Sequence, residues 1–381
     1  MKISNKSKTI FVYSYASKTR TNIDIYHRLS KLGWKIVLFT NRKKNDDNNK
    51  KYGLVEIRNT RIFFNHPRLH LPIKFILNII FFKPKFIYLE QDVISINVLI
   101  SWLISIFTNS NIVLQTYENI SPLAKLSKSK NLIKKIVYFL QYLLLRFLFF
   151  IPRFIFTVSI DSFRIFQGYG YNARLIPLGV NSSHFRHLNL SKLSIVKKFC
   201  PNLKKQSLRI LDSENSIIYS YIGRLVKEKG IHFLLKSFAN LPFENKILLF
   251  DSFDSKTLYG QYLQKLINKF KINKNIIFFK SNHYSINLIY NISDYVILPS
   301  VSNINWSEQY GRVPVEASFC SVMPVVSNSG HLNELPISKV IYDSKQELPP
   351  LNLTKKINYT SKMLSTKEMA NNVNLILNSI L

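Results

Sequence analysis

The chain has 381 residues, 46% of them hydrophobic, and carries 53 lysines and arginines against 21 aspartates and glutamates, a formal charge of +32. That length and apolar content exclude a disordered chain and predict two packed domains; the charge predicts an attraction to polyanions, whether nucleic acid, anionic lipid headgroups or phosphorylated small molecules. Two isolated cysteines, Cys200 and Cys320, make neither a disulfide framework nor a zinc site, and the five-residue apolar run near the N-terminus is too short for a signal-peptide core, so the cytoplasm is the expected compartment.

Residues 9–14 (TIFVYS) read as a buried strand, followed by a polar loop, a helix near 21–32 and a second apolar strand at 35–40. The same order returns more loosely around strands at 86–90, 111–117 and 154–159. Short apolar strands alternating with helical stretches predict a parallel, doubly wound sheet. Residues 131–156 (NLIKKIVYFLQYLLLRFLFFIPRFIF) are apolar enough to raise a membrane span, yet Lys135, Tyr138, Tyr142, Arg146 and Arg153 recur on one helical face. Such a pattern suits a helix lying in a membrane interface with those residues snorkelling from its side; an ordinary core helix with a basic edge is the alternative. A second basic and aromatic segment, 61–86, favours docking on a membrane, and its His66 and His70 have no third ligand nearby that would make a metal site. The charge is lopsided, with 28 basic and 8 acidic residues in 1–180 against 25 and 13 in 181–381.

Residues 186–215 are polar, rich in Lys and Ser and without a strong period, and read as a connection. A second α/β pattern then begins: strands at 217–222, 246–250, 275–279, 295–298 and 324–326, with helices at 230–240, 256–270, 285–292 and 312–320 between them.

Two stretches of this second half carry chemistry. In 221–230 (YIGRLVKEKG) a strand ends at Gly223 and a helix opens near Gly230, and a helix N-terminus with Arg224 and Lys229 beside it can clamp a diphosphate. A solvated turn is the plainer reading of that stretch taken alone. In 307–317 (SEQYGRVPVEA), Glu308 and Glu316 stand eight positions apart around Gly311, in the segment after strand 295–298, where open α/β sheets bind their ligands. Eight residues at helical rise span roughly 12 Å, comparable with an extended sugar-diphosphate-ribose. One capping and one surface glutamate would also satisfy the spacing.

YIGRLVKEKGIHFLLKSF, IYNISDYVILPS, EQYGRVPVEA and PVVSNSGHLNEL occur in the order and spacing of the family 4 retaining glycosyltransferases (glycosyltransferase group 1), and GYNARLIPLGVNSSHF resembles the segment where that family's first domain ends. The resemblance is strong over 155–335 and weak over 9–120. It implies an α/β GT-B fold, two Rossmann-like doubly wound domains facing across a cleft: 1–185 on the acceptor and membrane side, a linker at 186–215, a nucleotide-sugar domain at 216–360 and a closing helix at 361–381, open as to whether it packs back toward the first domain. By the same resemblance Arg224 and Lys229 hold the donor's diphosphate, Glu316 the ribose and Glu308 the transferred sugar. N–H groups around Gly311, Arg312 and Val313 add to the phosphate site. No cofactor and no metal are implied, and the sequence offers no Asp-x-Asp pair for one.

Several positions depart from the family. The first loop, 13–22 (YSYASKTRTN), lacks the usual glycines; Asn181 stands for an Asp; Ser321 and Lys280 stand near usual glycines; and QTYENI offers Glu118 and Asn119 where many members have a histidine. Glu118 is expected near the transferred sugar, or else in a structural salt bridge. Glu334 matches a family glutamate, with helix capping as an equal reading. The resulting expectation is a metal-independent, retaining hexosyltransferase that uses a UDP- or GDP-sugar. Its acceptor would be a glycan or lipid-linked molecule of cell-surface polysaccharide or lipopolysaccharide synthesis, at the inner face of the membrane, with no specific nucleic acid as partner. A basic nucleic-acid-binding protein and a degenerate member that binds nucleotide sugar without turnover are the rival readings.

Overall fold

The computed structural model describes residues 8–14, 23–40, 55–63, 66, 68–200, 205–211, 213, 216–282, 285–349 and 364–381. The chain divides into two compact units, one of residues 1–179 with 363–381, the other of residues 180–362.

The first unit runs β1 (Thr9–Ser14), α1 (Ile23–Lys31), β2 (Lys35–Thr40), β3 (Val55–Asn59), β4 (Ile62–Phe63), β5 (Leu71–Pro72), α2 (Ile73–Phe82), β6 (Phe86–Glu90), α3 (Ile96–Thr108), β7 (Asn111–Thr116), α4 (Pro122–Lys128), α5 (Leu132–Phe147), β8 (Phe154–Thr157), α6 (Ile160–Gly168) and β9 (Ala173–Leu175). Its seven-stranded sheet has the order β3-β2-β1-β6-β7-β8-β9, parallel throughout. Strands buried on both faces explain the unbroken apolar runs of the sequence, since a parallel sheet is covered by helices on each side. On one face, Phe75 and Ile79 of α2, Val98 of α3, Leu145 of α5 and Phe166 of α6 share a core with Phe11, Ile87, Leu114 and Ile155 of the strands. α1 packs with the chain's last helix, Thr366–Asn378; Arg28 Nε donates to Thr366 Oγ1 at 2.9 Å and Trp34 Nε1 to Asn374 Oδ1 at 2.8 Å.

The second unit runs α7 (Lys192–Phe199), α8 (Lys205–Leu211), β10 (Ile217–Tyr221), α9 (Ile231–Asn240), β11 (Lys246–Asp251), α10 (Leu258–Lys269), β12 (Ile276–Phe279), α11 (Ile286–Ile292), β13 (Tyr295–Leu298), α12 (Arg312–Phe319), β14 (Met323–Ser327) and β15 (Val340–Tyr342). Its six parallel strands have the order β12-β11-β10-β13-β14-β15. Tyr219, Tyr221, Leu234, Leu248, Phe250, Leu263 and Ile297 form its core. Two doubly wound parallel sheets make the α/β fold class that the strand and helix periodicity predicted.

Three expectations change. The stretch 186–215 is not a bare connection: α7 and α8 lie within it and belong to the second unit, which begins at Val180 rather than after 185. A lysine-rich helix has a weak apolar period, and α7 is fixed by contacts far along the chain. Ser191 caps it, Lys192 Nζ pairs with Asp294 at 3.1 Å, and Leu188 N–H donates to Asn291 Oδ1 at 2.6 Å. Edge strands β3, β9 and β15 went unread: Glu56, Arg58 and Arg174 break the apolar runs of the first two, and β15 has only three residues. Finally, the polar stripe of α5 is only partly turned to the protein: Tyr142 packs on the Tyr169 ring, 5.8 Å between centroids, and Arg146 Nη1 reaches Gly168 O at 3.4 Å, while Lys135, Arg146 and Arg153 stay exposed.

Candidate functional site

In the second unit the chain winds outward from β10 through β11 to β12, then returns to place β13 on β10's other side. The strand order therefore reverses between β10 and β13, and the space beyond the carboxyl ends of two such strands is where open α/β sheets form their ligand crevice. The loops after β10 and β13 carry Arg224, Lys229, Glu308 and Gly311, and α12, which follows the second loop, carries Arg312, Val313 and Glu316.

The first loop is held close to the second by its backbone. The Tyr221 hydroxyl donates to Arg224 O at 2.8 Å, and Val301 N–H donates to Glu228 O at 2.8 Å. Gly230, at φ 63°, sits so near the end of β13 that a Cβ there would lie 1.9 Å from Pro299 O. Only glycine satisfies both the left-handed backbone and that approach. Next to it Lys229 is turned inward; its Nζ meets Glu308 Oε2 at 2.6 Å, with both side chains 11% exposed. Ser300 Oγ donates to the same carboxylate oxygen at 2.7 Å, and the Lys229 ammonium lies 5.5 Å from the centroid of the Trp306 ring. Arg224 is exposed beside this buried pair.

After Glu308 the chain turns into α12 at Gly311, where φ is 78° and an added Cβ would meet Leu332 Cδ2 at 2.4 Å. The opening N–H groups of a helix, here those of Gly311, Arg312 and Val313, have no intrahelical acceptor, and Pro314 has none to offer; together with the helix dipole they favour an anion. One turn on, Glu316 is buried; Tyr290 OH donates to its Oε2 at 2.8 Å, and Arg312 Nε stands 3.6 Å from its Oε1. Burial pushes the Glu316 carboxyl above its ordinary range, against the opposing pull of Arg312, the Tyr290 hydroxyl and His184. Burial and the neighbouring Glu316 carboxylate push the Tyr290 phenol far up, so it stays a donor.

Thus Lys229, Glu308, Gly311, Arg312 and Glu316 converge on one strand-order reversal, with Arg224 and Val313 at its border. Glu118 belongs to the first unit: it follows β7 and pairs with Lys125 Nζ at 2.8 Å. Glu334 ends a tight helical turn, Gly330–Glu334, and its Oε2 lies 3.2 Å from His331 Nδ1. Ser321 adopts φ 61°, the left-handed conformation for which glycine is the usual occupant, and Lys280 is exposed after β12. Most of the glycine-free first loop, 15–22, lies outside the described residues. Among the described residues no group of three or more His, Cys, Asp or Glu side chains is placed to hold a metal ion.

Ser300, Tyr290 and Trp306 are the polar and aromatic partners that sequence reasoning missed. Ser300 had a signal, as the last residue of the strand-ending ILPS, eight positions before Glu308. Tyr290 lies 26 positions from Glu316 on a different helix, and nothing local marks it.

A search of curated protein sequences finds no match. Residues 204–346 match the profile of the family described as glycosyl transferases group 1. Among solved structures, the chain is similar to Anabaena Alr3699/HepE in complex with UDP and glucose, with 14% identity over 98% of this chain and 90% of that one and a TM-score of 0.63. It is similar to sucrose-phosphate synthase (tll1590) from Thermosynechococcus elongatus, with 14% identity, 98% and 99% coverage and a TM-score of 0.65. A glycosyltransferase from Rickettsia africae ESF-5 is 18% identical, with 98% and 96% coverage and a TM-score of 0.65. Identities this low speak to the fold. The chain thus has the GT-B fold class, and its residues 204–346 are similar to the glycosyl transferases group 1 family.

Proposed function

We propose that the protein is a retaining glycosyltransferase that moves a hexosyl group from a UDP- or GDP-sugar to a glycan or lipid-linked acceptor, in the synthesis of a cell-surface polysaccharide or lipopolysaccharide. The observation that carries this is the buried Lys229–Glu308 pair set against the start of α12 at the strand-order reversal. On this reading Lys229 leaves Glu308 for the incoming diphosphate, which Arg224 and the first-turn N–H groups of α12 also hold. Glu308 then accepts hydrogen bonds from the sugar and Glu316 from the ribose. The bond between the anomeric carbon and the diphosphate oxygen breaks, the acceptor oxygen bonds to the same face of that carbon, and the acceptor's proton passes to the departing phosphate oxygen. Negative charge grows on the leaving group, and fixed cations and helix N–H groups stabilise it without a metal or cofactor. The reading places the enzyme at the cytoplasmic face of the cell membrane.

The test is thermal denaturation of the full chain with UDP, GDP and their hexose conjugates, alongside an Arg224→Ala, Lys229→Ala variant. A ligand that binds only the folded state raises the apparent stability by about 2.7 kcal/mol at a hundred times its Kd. The expected result is a shift with one nucleotide that is lost in the variant. Folded protein that shifts with none of them, and turns over none, overturns the proposal.

A further inference from the structure

α2, α3 and α5 lie side by side on one face of the first unit's sheet, as right-handed parallel crossovers require, and their inward residues share one core. Their outward sides are apolar. On α5, Ile133, Ile136, Val137, Leu140, Leu144 and Phe147 fall on one side of the helix and are 44–73% exposed, while Leu145 is its one buried residue. α3 adds Phe107 at 85% exposure and α2 adds Phe81 at 75%. The layer is continuous: α2 packs on α3, and Trp102 of α3 packs on Phe150, just past α5, at 5.4 Å between ring centroids. A soluble surface rarely carries an apolar face of this extent without a use for it.

The charges beside it identify the occupant. Residues 73–153 hold ten lysines and arginines and three acids. Of the acids, Glu90 is buried, Asp92 pairs with Arg68 at 2.7 Å and Glu118 with Lys125 at 2.8 Å. Lys134, Lys135 and Arg146 are exposed along α5 itself. Pairing this face with a second copy of itself would set cations against cations around the apolar centre. An anionic bilayer accepts both parts, acyl chains against the apolar side and headgroups against the basic flanks. No helix among the described residues is long and apolar enough to cross a membrane.

We infer that the outer side of the α2–α3–α5 layer is a membrane-embedding surface for anionic lipid, with Ile136, Leu140 and Phe147 of α5 entering the headgroup–acyl boundary. This deepens the proposed function by assigning the membrane contact to particular side chains, and it stands on a different unit from the nucleotide site. The experiment is co-sedimentation of the full chain with vesicles of phosphatidylcholine alone and of phosphatidylcholine with 30% phosphatidylglycerol (about one anionic lipid in three, to mimic an acidic leaflet). The wild type is compared with an Ile136→Glu, Leu140→Glu, Phe147→Glu variant and with Leu258→Glu, a control at an 86% exposed position of the second unit. Binding at least about tenfold tighter to the anionic vesicles, weakened at least about tenfold by the triple substitution and unchanged by Leu258→Glu, is expected. Equal binding to both vesicles, or equal binding by triple variant and wild type, overturns the inference. So does a wild-type dimer in sedimentation that the triple variant abolishes while vesicle binding persists. The nucleotide-induced thermal shift, measured on the same samples, separates the two readings: vesicle binding without that shift removes the transferase proposal alone, and the reverse removes this inference alone.

Discussion

Lys229→Ala is the substitution whose cost the geometry fixes best. The ammonium lies 2.6 Å from Glu308 Oε2 and both side chains are 11% exposed, so the pair belongs with buried ion pairs rather than surface ones. Surface pairs are worth about 0–1 kcal/mol. Truncating one member of a buried pair costs about 3–5 kcal/mol, because the other charge stays desolvated. Ser300 keeps one hydrogen bond to that carboxylate oxygen, which places the expected loss near the lower end, about 3 kcal/mol. At roughly 2–4 °C per kcal/mol for a unit of this size, the second unit should melt about 6–12 °C lower. Lys229→Met with Glu308→Gln leaves neither charge buried, so the double variant should recover about 2 kcal/mol over the sum of the singles. The assay is urea unfolding of wild type, Lys229→Ala, Lys229→Met, Glu308→Gln and the double variant, followed by far-UV circular dichroism and tryptophan fluorescence, since Trp306, beside Lys229, is the second unit's one tryptophan. A Lys229→Ala cost under about 1 kcal/mol, or singles that simply add, would refute the placement of a desolvated pair at this site. The folded double variant should also lose the nucleotide-induced shift, which a purely structural pair would leave in place.

Two further predictions concern the neighbouring carboxylate and the loop. The Glu316 pKa is raised in the folded state, so its contribution to stability is fully present below the unfolded value, ordinarily 4.5, and is lost as pH rises through the higher folded value. Wild-type stability relative to Glu316→Gln should therefore fall as pH rises from about 4.5, and Tyr290→Phe, which removes a hydrogen bond that favours the ionised carboxyl, should carry that window to higher pH; a pH-independent difference in urea midpoints would contradict this. Gly230→Ala combines a left-handed backbone, about 1–2 kcal/mol for a residue with a Cβ, with a contact of 1.9 Å to Pro299 O. A loss of about 3 kcal/mol or more is expected from calorimetry, and a loss below 1 kcal/mol would show that the two loops are not held together as described.

The main strands were legible because a strand buried on both faces needs a continuous apolar run, and TIFVYS, KIVLFT and YVIL each keep one. Boundaries moved by a residue or two where a cap decides the end, as in α10, expected at 256–270 and found at Leu258–Lys269 with Thr257 capping its start. What stayed hidden was fixed by distance along the chain. α7 is held through Asp294 and Asn291, about a hundred positions away. Glu316 depends on a tyrosine from another helix, and neither contact leaves a periodic trace. For α5 the stripe was found but its direction was not, because periodicity identifies a face without saying what that face meets. Spaced polar residues read alike whether they look at water, as Lys135 does, or back at Tyr169 and Gly168, as Tyr142 and Arg146 do.

The acid-poor composition gives the two site glutamates their meaning. In a chain of charge +32, a carboxylate on the surface finds a cation almost anywhere, so burying two of the 21 acids beside the same crevice needs a specific return for the desolvation. Each buried carboxylate has its own cation, Lys229 for Glu308 and Arg312 for Glu316, and the crevice stays near neutrality before any ligand arrives. On the proposed reading, a diphosphate entering between them competes for those cations, and each carboxylate that yields one becomes an acceptor for a hydroxyl of the same ligand. One ligand carrying both an anion and hydroxyls thus satisfies every group it disturbs, while an inorganic anion takes the cations and leaves two desolvated carboxylates behind. The site should therefore favour a nucleotide sugar over free pyrophosphate by more than the added hydrogen bonds alone would give, and the Lys229→Met, Glu308→Gln protein should show a smaller preference between the two.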